Sequence, residues 1–174
     1  HMPRFNEKIT VGTWAYELGG LSASRCFVIL DEKGAAVVRA DSTWYMVDTK
    51  AGKTIRVPES EAAYISDTPR LDMPPMPRHI PATGTPTEAP SITVSQQHLD
   101  TNKHVNNAQY VMMAIDALSA LGYPFALHRI IVQYRRQAHL DDVIFPQVYQ
   151  DEAGITVSLD SPEHKAYAIV RLEK

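Results

Sequence analysis

The nine residues Leu99-Asp100-Thr101-Asn102-Lys103-His104-Val105-Asn106-Asn107 decide how this chain is read. Asp100, Asn102 and His104 stand at alternating positions, and in an extended segment that spacing puts all three side chains on one side. A helix start follows. Asn106 is a good N-cap, Gln109 three residues on can close a capping box, and Val105 and Tyr110 occupy the two positions of a hydrophobic staple. Free backbone N–H groups at the helix start, positive in electrostatic terms, then lie close to a carboxylate, an amide and an imidazole. Such a grouping suits a reaction that develops negative charge on oxygen. The plainer reading is that Asp, Asn and His are common in turns before helices, where they cap and hydrogen-bond locally.

Outward from this stretch, the helix runs from about Asn107 to Leu121, with Val111, Ala114, Ile115, Leu118 and Leu121 at helical spacing on one face. Met112 and Met113 broaden its apolar surface. Gly122 ends it and Pro124 prevents its resumption. Ile92 to Val94 opens a strand ahead of Asp100. After the helix, Arg129 to Ala138, Val143 to Gln150, Ile155 to Leu159 and Ala166 to Leu172 read as strands separated by polar turns. Upstream, Lys8 to Glu17, Ser22 to Leu30 and Ala35 to Val47 read as an antiparallel meander. Pro58 to Ile65 suits one short turn of helix after a proline start.

Thr68 to Ser91 holds seven of the twelve prolines and reads as an extended linker. The chain therefore divides into a strand-only segment, 1–67, a linker, 68–91, and a complete strand–helix–strand domain, 92–174. Its 174 residues, 44% hydrophobic and 21% charged, are those of an ordinary globular protein. A net charge of -3 argues against generic nucleic-acid binding, and no apolar run is long enough to span a bilayer. No secretory signal is read at the start, where His1-Met2 has the look of a cloning remnant, so a cytoplasmic location is expected. Cys26, the sole cysteine, excludes an internal disulfide and reads as a structural strand residue. No histidine has companions at metal-ligand spacing, and no Gly-rich phosphate loop is present, so neither metal nor cofactor is expected.

Asp-x-Asn-x-His-Val-Asn-Asn followed by Tyr110 and an apolar helix resembles the signature of the acyl-acyl-carrier-protein thioesterases, tandem hotdog proteins related to the acyl-CoA thioesterases. Val11-Gly12-Thr13-Trp14, Ala23-Ser24-Arg25-Cys26-Phe27 and Ala40-Asp41-Ser42-Thr43-Trp44 are similar to later strands of that family's first half. The resemblance implies an α+β hotdog fold: a long helix wrapped by a curved antiparallel sheet, whole at the C-terminus and partial at the N-terminus. The first strand and long helix of the first hotdog have no counterpart in this sequence. Trp14 and Trp44 are expected to be core aromatics rather than substrate contacts.

Thioester hydrolysis needs an activated water and a held oxyanion. His104 suits the base or water-orienting role, since an imidazole titrates near neutrality. Asn102 suits polarising the carbonyl or positioning water, and Asp100 suits orienting His104 or Asn102. The N–H groups of Asn106 to Ala108 are candidate oxyanion donors. The resemblance assigns Asp100, Asn102 and His104 to catalytic positions. It also aligns Tyr134-Arg135-Arg136-Gln137-Ala138 with a strand where the family commonly has Tyr-Arg-Arg-Glu-Cys, and regards that glutamate as catalytic. Gln137 stands at the fourth position here, and it cannot usefully accept a proton. The implied partner is acyl carrier protein, which Arg129, Arg135 and Arg136 could meet unless they merely form a solvated strand face. An acyl-CoA thioesterase and a non-catalytic acyl-binding hotdog are the competing readings. Strand faces left without a covering helix point to a homodimer.

Overall fold

The computed structural model describes residues 2–123 and 128–173, and they form two compact units, 1–76 and 77–174. In the first unit, β1 (Thr10–Leu18), β2 (Ser22–Leu30) and β3 (Ala36–Tyr45) form an antiparallel sheet in that order. The β2–β3 turn is made by Asp31, whose Oδ1 accepts the Lys33 and Ala35 N–H groups, with Gly34 at φ 82°. β4 (Val47–Asp48) and β5 (Lys53–Thr54) make a small hairpin. The proline-started turn is a 3-10 helix over Glu59–Tyr64, bound to β1 through the Ser66 N–H and the Ala15 carbonyl at 2.8 Å.

Cys26 is fully buried, and its Sγ accepts the Leu71 N–H at 3.5 Å, in keeping with a structural residue. Tyr16 donates to Asp41 at 2.9 Å and Arg70 pairs with the same carboxylate at 2.8 Å, so 69–74 is strapped to the sheet. The tryptophans differ from expectation. Trp14 is half-buried and donates Nε1–H to the Pro69 carbonyl at 3.0 Å. Trp44 is 55% exposed near the end of β3, where its Nε1–H turns to Ser42 Oγ of the same strand at 2.8 Å.

In the second unit, β6 (Thr87–Glu88), β7 (Ile92–Thr93), α1 (Asn107–Ala120), β8 (Arg129–Tyr134), β9 (Val143–Gln150), β10 (Gly154–Asp160) and β11 (Ala166–Glu173) follow in sequence. The antiparallel sheet runs β6-β9-β10-β11-β8, with β7 also paired to β9. One helix held by a wrapped antiparallel sheet is the hotdog arrangement. α1 lies over β9, β10 and β11, burying Tyr110, Met113, Ala114, Ala117 and Leu118 against Val148, Val157, Leu159 and Val170. Those helix positions are i, i+3, i+4, i+7 and i+8, a single stripe. Each large apolar side chain buried there contributes about 1.5–3 kcal/mol. The expected face was centred elsewhere: Val111 and Ile115 flank the stripe, and Met112 is 49% exposed.

Gly122 ends α1 at φ 74°; Pro124 lies outside the described residues. β8 stops at Tyr134, four residues short of the expected Ala138. The Arg135 and Arg136 N–H groups both turn to one acceptor, the Tyr167 carbonyl, which breaks the ladder. On the far face of β8 and β11, Ile80 packs with Ile131 and Ile169, and its N–H bonds Gln133 Oε1 at 3.2 Å. Burial on both faces accounts for the near-continuous buried run of β11. At Gly154 a Cβ would come within 2.2 Å of the Leu172 carbonyl oxygen, so the two strands close only around glycine there.

Candidate active site

Leu99 and Val105 form an isolated antiparallel bridge, and the chain between them is a closed turn. Asp100 N–H donates to the His104 carbonyl at 2.8 Å and Lys103 N–H to the Asp100 carbonyl at 3.0 Å, with Lys103 at φ 64°. Asp100 Oδ1 accepts the N–H of Asn102 at 2.8 Å and of His104 at 3.3 Å. The segment is therefore not extended, and alternation does not set which way its side chains point. A carboxylate with free N–H groups two and four residues ahead closes a turn more readily than it stays straight. Asp100 meets the backbone of His104; no bond from it to the imidazole occurs among the described residues. Asn102 is exposed and His104 half-buried.

The turn is docked on both sides. Val105 N–H donates to the Ala138 carbonyl and Asn106 N–H to the His98 carbonyl, each at 2.9 Å. Asn106 caps α1 as expected, but its side chain accepts from Ala108 N–H at 2.9 Å, and the box with Gln109 does not form. A capping box occurs earlier, between Ser95 and His98. Of the three N–H groups offered as oxyanion donors, those of Asn106 and Ala108 are spent. Asn107 N–H takes no acceptor among the described residues.

Gln137 is exposed, next to the Ala138 that holds Val105. Ala138 itself is fully buried, and its N–H donates to the Tyr110 hydroxyl at 2.9 Å, which ties α1 to this edge. Tyr134 donates to the Asn107 carbonyl at 3.2 Å, and its ring stands 6.0 Å from that of Tyr110. Burial, chiefly, raises the Tyr110 and Tyr134 phenols above their ordinary value.

Sequence reasoning did not bring His139 and Asp142 to this turn. The His139 ring meets that of His104 edge to face, with centroids 5.0 Å apart at 86°. Asp142 Oδ2 accepts the His139 N–H at 2.9 Å and the Tyr167 hydroxyl at 3.2 Å. The only signal in the sequence was an imidazole two positions beyond Gln137. The three arginines are engaged locally: Arg129 with Glu173 at 3.1 Å, Arg135 with Gln133 at 2.9 Å and Arg136 with Ser161 at 2.9 Å. Among the described residues, no three His, Cys, Asp or Glu side chains gather as metal ligands.

The first unit carries its own cleft of about 390 Å³, lined by Leu18, Trp44, Tyr45, Val57, Tyr64 and Ile65 with Arg25 and Glu61 among them.

Residues 1–65 match the model of the acyl-ACP thioesterase N-terminal domain, and residues 84–169 match that of the C-terminal domain. The chain belongs to the acyl-ACP thioesterase family. Among relatives of this family, a chloroplastic oleoyl-acyl carrier protein thioesterase of Coriandrum sativum is 27% identical over 182 residues, covering 95% of this chain and 49% of the relative. A chloroplastic acyl-[acyl-carrier-protein] hydrolase of Cuphea viscosissima is 24% identical over 161 residues, 87% of this chain and 39% of that protein. In fold, the chain is similar to an acyl-ACP thioesterase of Bacteroides thetaiotaomicron, with TM-score 0.82 and 21% identity over 96% of this chain and 68% of the other. A 12:0-ACP thioesterase of Umbellularia californica gives TM-score 0.78 at 17% identity, over 98% and 69%. This acyl-ACP thioesterase relative spans about half the length or less of the curated proteins it matches.

Proposed function

We propose that this chain hydrolyses the thioester of acyl-acyl carrier protein, releasing a free fatty acid in fatty acid biosynthesis. The observation that carries this reading is His104 held in a closed turn that leads into α1, whose Asn107 N–H is unspent among the described residues. In the proposed reaction water attacks the thioester carbonyl carbon and its proton passes to His104. The oxyanion is held by the Asn107 N–H, with the Asn102 amide as a second donor; one such donor is worth on the order of a hundred- to a thousandfold in rate. The C–S bond then breaks, and the departing thiolate takes the proton from the His104 imidazolium. Asp100 serves by fixing the turn that presents both residues, and Gln137 by orienting water.

The test is turnover of acyl-acyl carrier protein and of the corresponding acyl-CoA beside protein-free controls. Preference for the carrier-protein ester supports the reading, and preference for acyl-CoA replaces it with a general acyl-CoA thioesterase. One observation favours a second reading: Gln137 is exposed and cannot take a proton. Saturable acyl binding with no turnover of either ester would make the chain an acyl-binding hotdog. A homodimer belongs to the proposal, as does a cytoplasmic location; the two plant relatives are named as chloroplastic proteins. No helix among the described residues is long and apolar enough to cross a membrane.

A further inference from the structure

We infer that His139, anchored by Asp142, is the positioning residue for His104, and that the hydrolytic rate depends on this imidazole–carboxylate pair. The inference rests on the hydrolase reading above. His104 sits in a turn whose own hydrogen bonds fix its backbone, through the Asp100 carboxylate and the Asp100 N–H, and leave the ring to be placed by a neighbour. The aromatic neighbour is His139, edge to face at 5.0 Å and 86°. A perpendicular pair defines ring orientation, because the edge of one imidazole must meet the face of the other.

His139 is more than half exposed, so burial does not hold it; Asp142 fixes its backbone and sets a carboxylate near its ring. The Oδ2 atom accepts the His139 backbone N–H at 2.9 Å and lies 3.9 Å from the Nδ1 of the same ring. Tyr167 of β11 donates to that oxygen at 3.2 Å, and Asp142 N–H donates back to the His139 carbonyl at 3.2 Å. The carboxylate is thus fixed from the sheet and from its own turn, and it brings negative charge to the side of His139. That charge is felt nearby. It joins burial in raising the Tyr110 and Tyr167 phenols, burial being the larger cause in both. The chain therefore places a carboxylate on the other side of His139 from His104, while position 137 carries a neutral amide.

The experiment compares the parent chain with His139→Ala, Asp142→Asn and His104→Ala. It measures steady-state hydrolysis of acyl-acyl carrier protein and the proton NMR signals of the His104 ring. His139→Ala is expected to lower kcat by on the order of ten- to a hundredfold with KM little changed, the cost of a misplaced reacting group. Asp142→Asn keeps an oxygen for both donors but removes the charge, and a fall of about three- to tenfold in kcat is expected. The His104 ring signals should shift in His139→Ala, which removes the facing ring. A His139→Ala chain with parental kcat, beside an inactive His104→Ala chain, overturns the inference and leaves the hydrolase reading standing. Unmoved His104 signals in His139→Ala overturn it whatever the rates. A parent chain that hydrolyses no acyl thioester defeats the hydrolase reading by itself, and the ring signals then decide whether His139 places His104.

Discussion

The His104→Ala variant removes the imidazole proposed to take the water proton. Hydrolysis is expected to fall at least about a hundredfold, with the unfolding temperature near the parent's because the ring is only half-buried. Full activity in a folded His104→Ala chain would sink the assignment. Gln137 poses a different question. It is exposed and forms no side-chain hydrogen bond among the described residues, so Gln137→Ala should be a mild lesion, within about tenfold in kcat. A nearly inert parent that Gln137→Glu revives would instead make a carboxylate at 137 indispensable. An active parent killed by Gln137→Glu contradicts both versions. These residues show how far the site was legible. Residue identity marked His104 and Asn102 as chemistry-bearing, and Asp100 as the group that could orient either of them. Its carboxylate turned out to close the turn, a matter of backbone reach that identity does not disclose.

The Tyr110 hydroxyl is a buried link between α1 and the edge that carries Gln137. It accepts the N–H of Ala138, which is fully buried. Tyr110→Phe keeps the ring and strands that N–H without a partner, at a cost of about 1–3 kcal/mol. Thermal or urea unfolding should register this as a loss of stability, and a neutral result would mean that water reaches Ala138. Between β11 and the β9–β10 turn the sensitive contact is Arg171, whose side chain is 8% exposed and forks onto Asp151 at 2.7 and 2.8 Å. That guanidinium, chiefly, holds the Asp151 carboxyl down at about 2, against 3.8 ordinarily. Above pH ~4 the carboxylate is charged in both folded and unfolded chains, and its stabilisation is whole. Between pH ~4 and ~2 the unfolded chain takes up the proton first, so this stabilisation drains away as pH falls. Asp151→Asn should flatten the acid dependence of stability in that window and lower stability at neutral pH by about 1–2 kcal/mol. This is less than the cost of breaking a fully buried pair, because Asp151 is half exposed. An unchanged acid profile would remove Asp151 from the account.

Ile9, Val11, Leu21, Trp44, Tyr45 and Tyr64 of the first unit are all exposed, each 40% or more. Apolar surface on that scale seldom stays open to water, and a second copy of the chain is the simplest cover. Light scattering of the purified 174-residue chain should therefore report a dimer. A clean monomer at micromolar concentration, binding no dye that reports apolar surface, would refute this.

Strand and helix identity followed from local pattern. β-branched and aromatic runs broken by Asp31–Gly34 mark β2 and β3, and Asn106 with Gly122 brackets α1, because capping and turn chemistry act within a few residues. The Asp-x-Asn-x-His string before that helix was enough to suggest the family and with it the hotdog arrangement. Only the tertiary structure decided the rest. The buried stripe of α1 is 110, 113, 114, 117 and 118, rather than one through Val111 and Ile115, because its rotation is set by the sheet beneath it. β8 ends at Tyr134 because Tyr167, more than thirty residues away in sequence, captures two successive N–H groups. His139 reaches His104 because the Val105 N–H is tied to the Ala138 carbonyl, which brings two stretches distant in sequence to one edge. Spacing along a chain determines local hydrogen bonds and periodic faces; contacts across the sheet depend on where the backbone returns, and no local pattern records that.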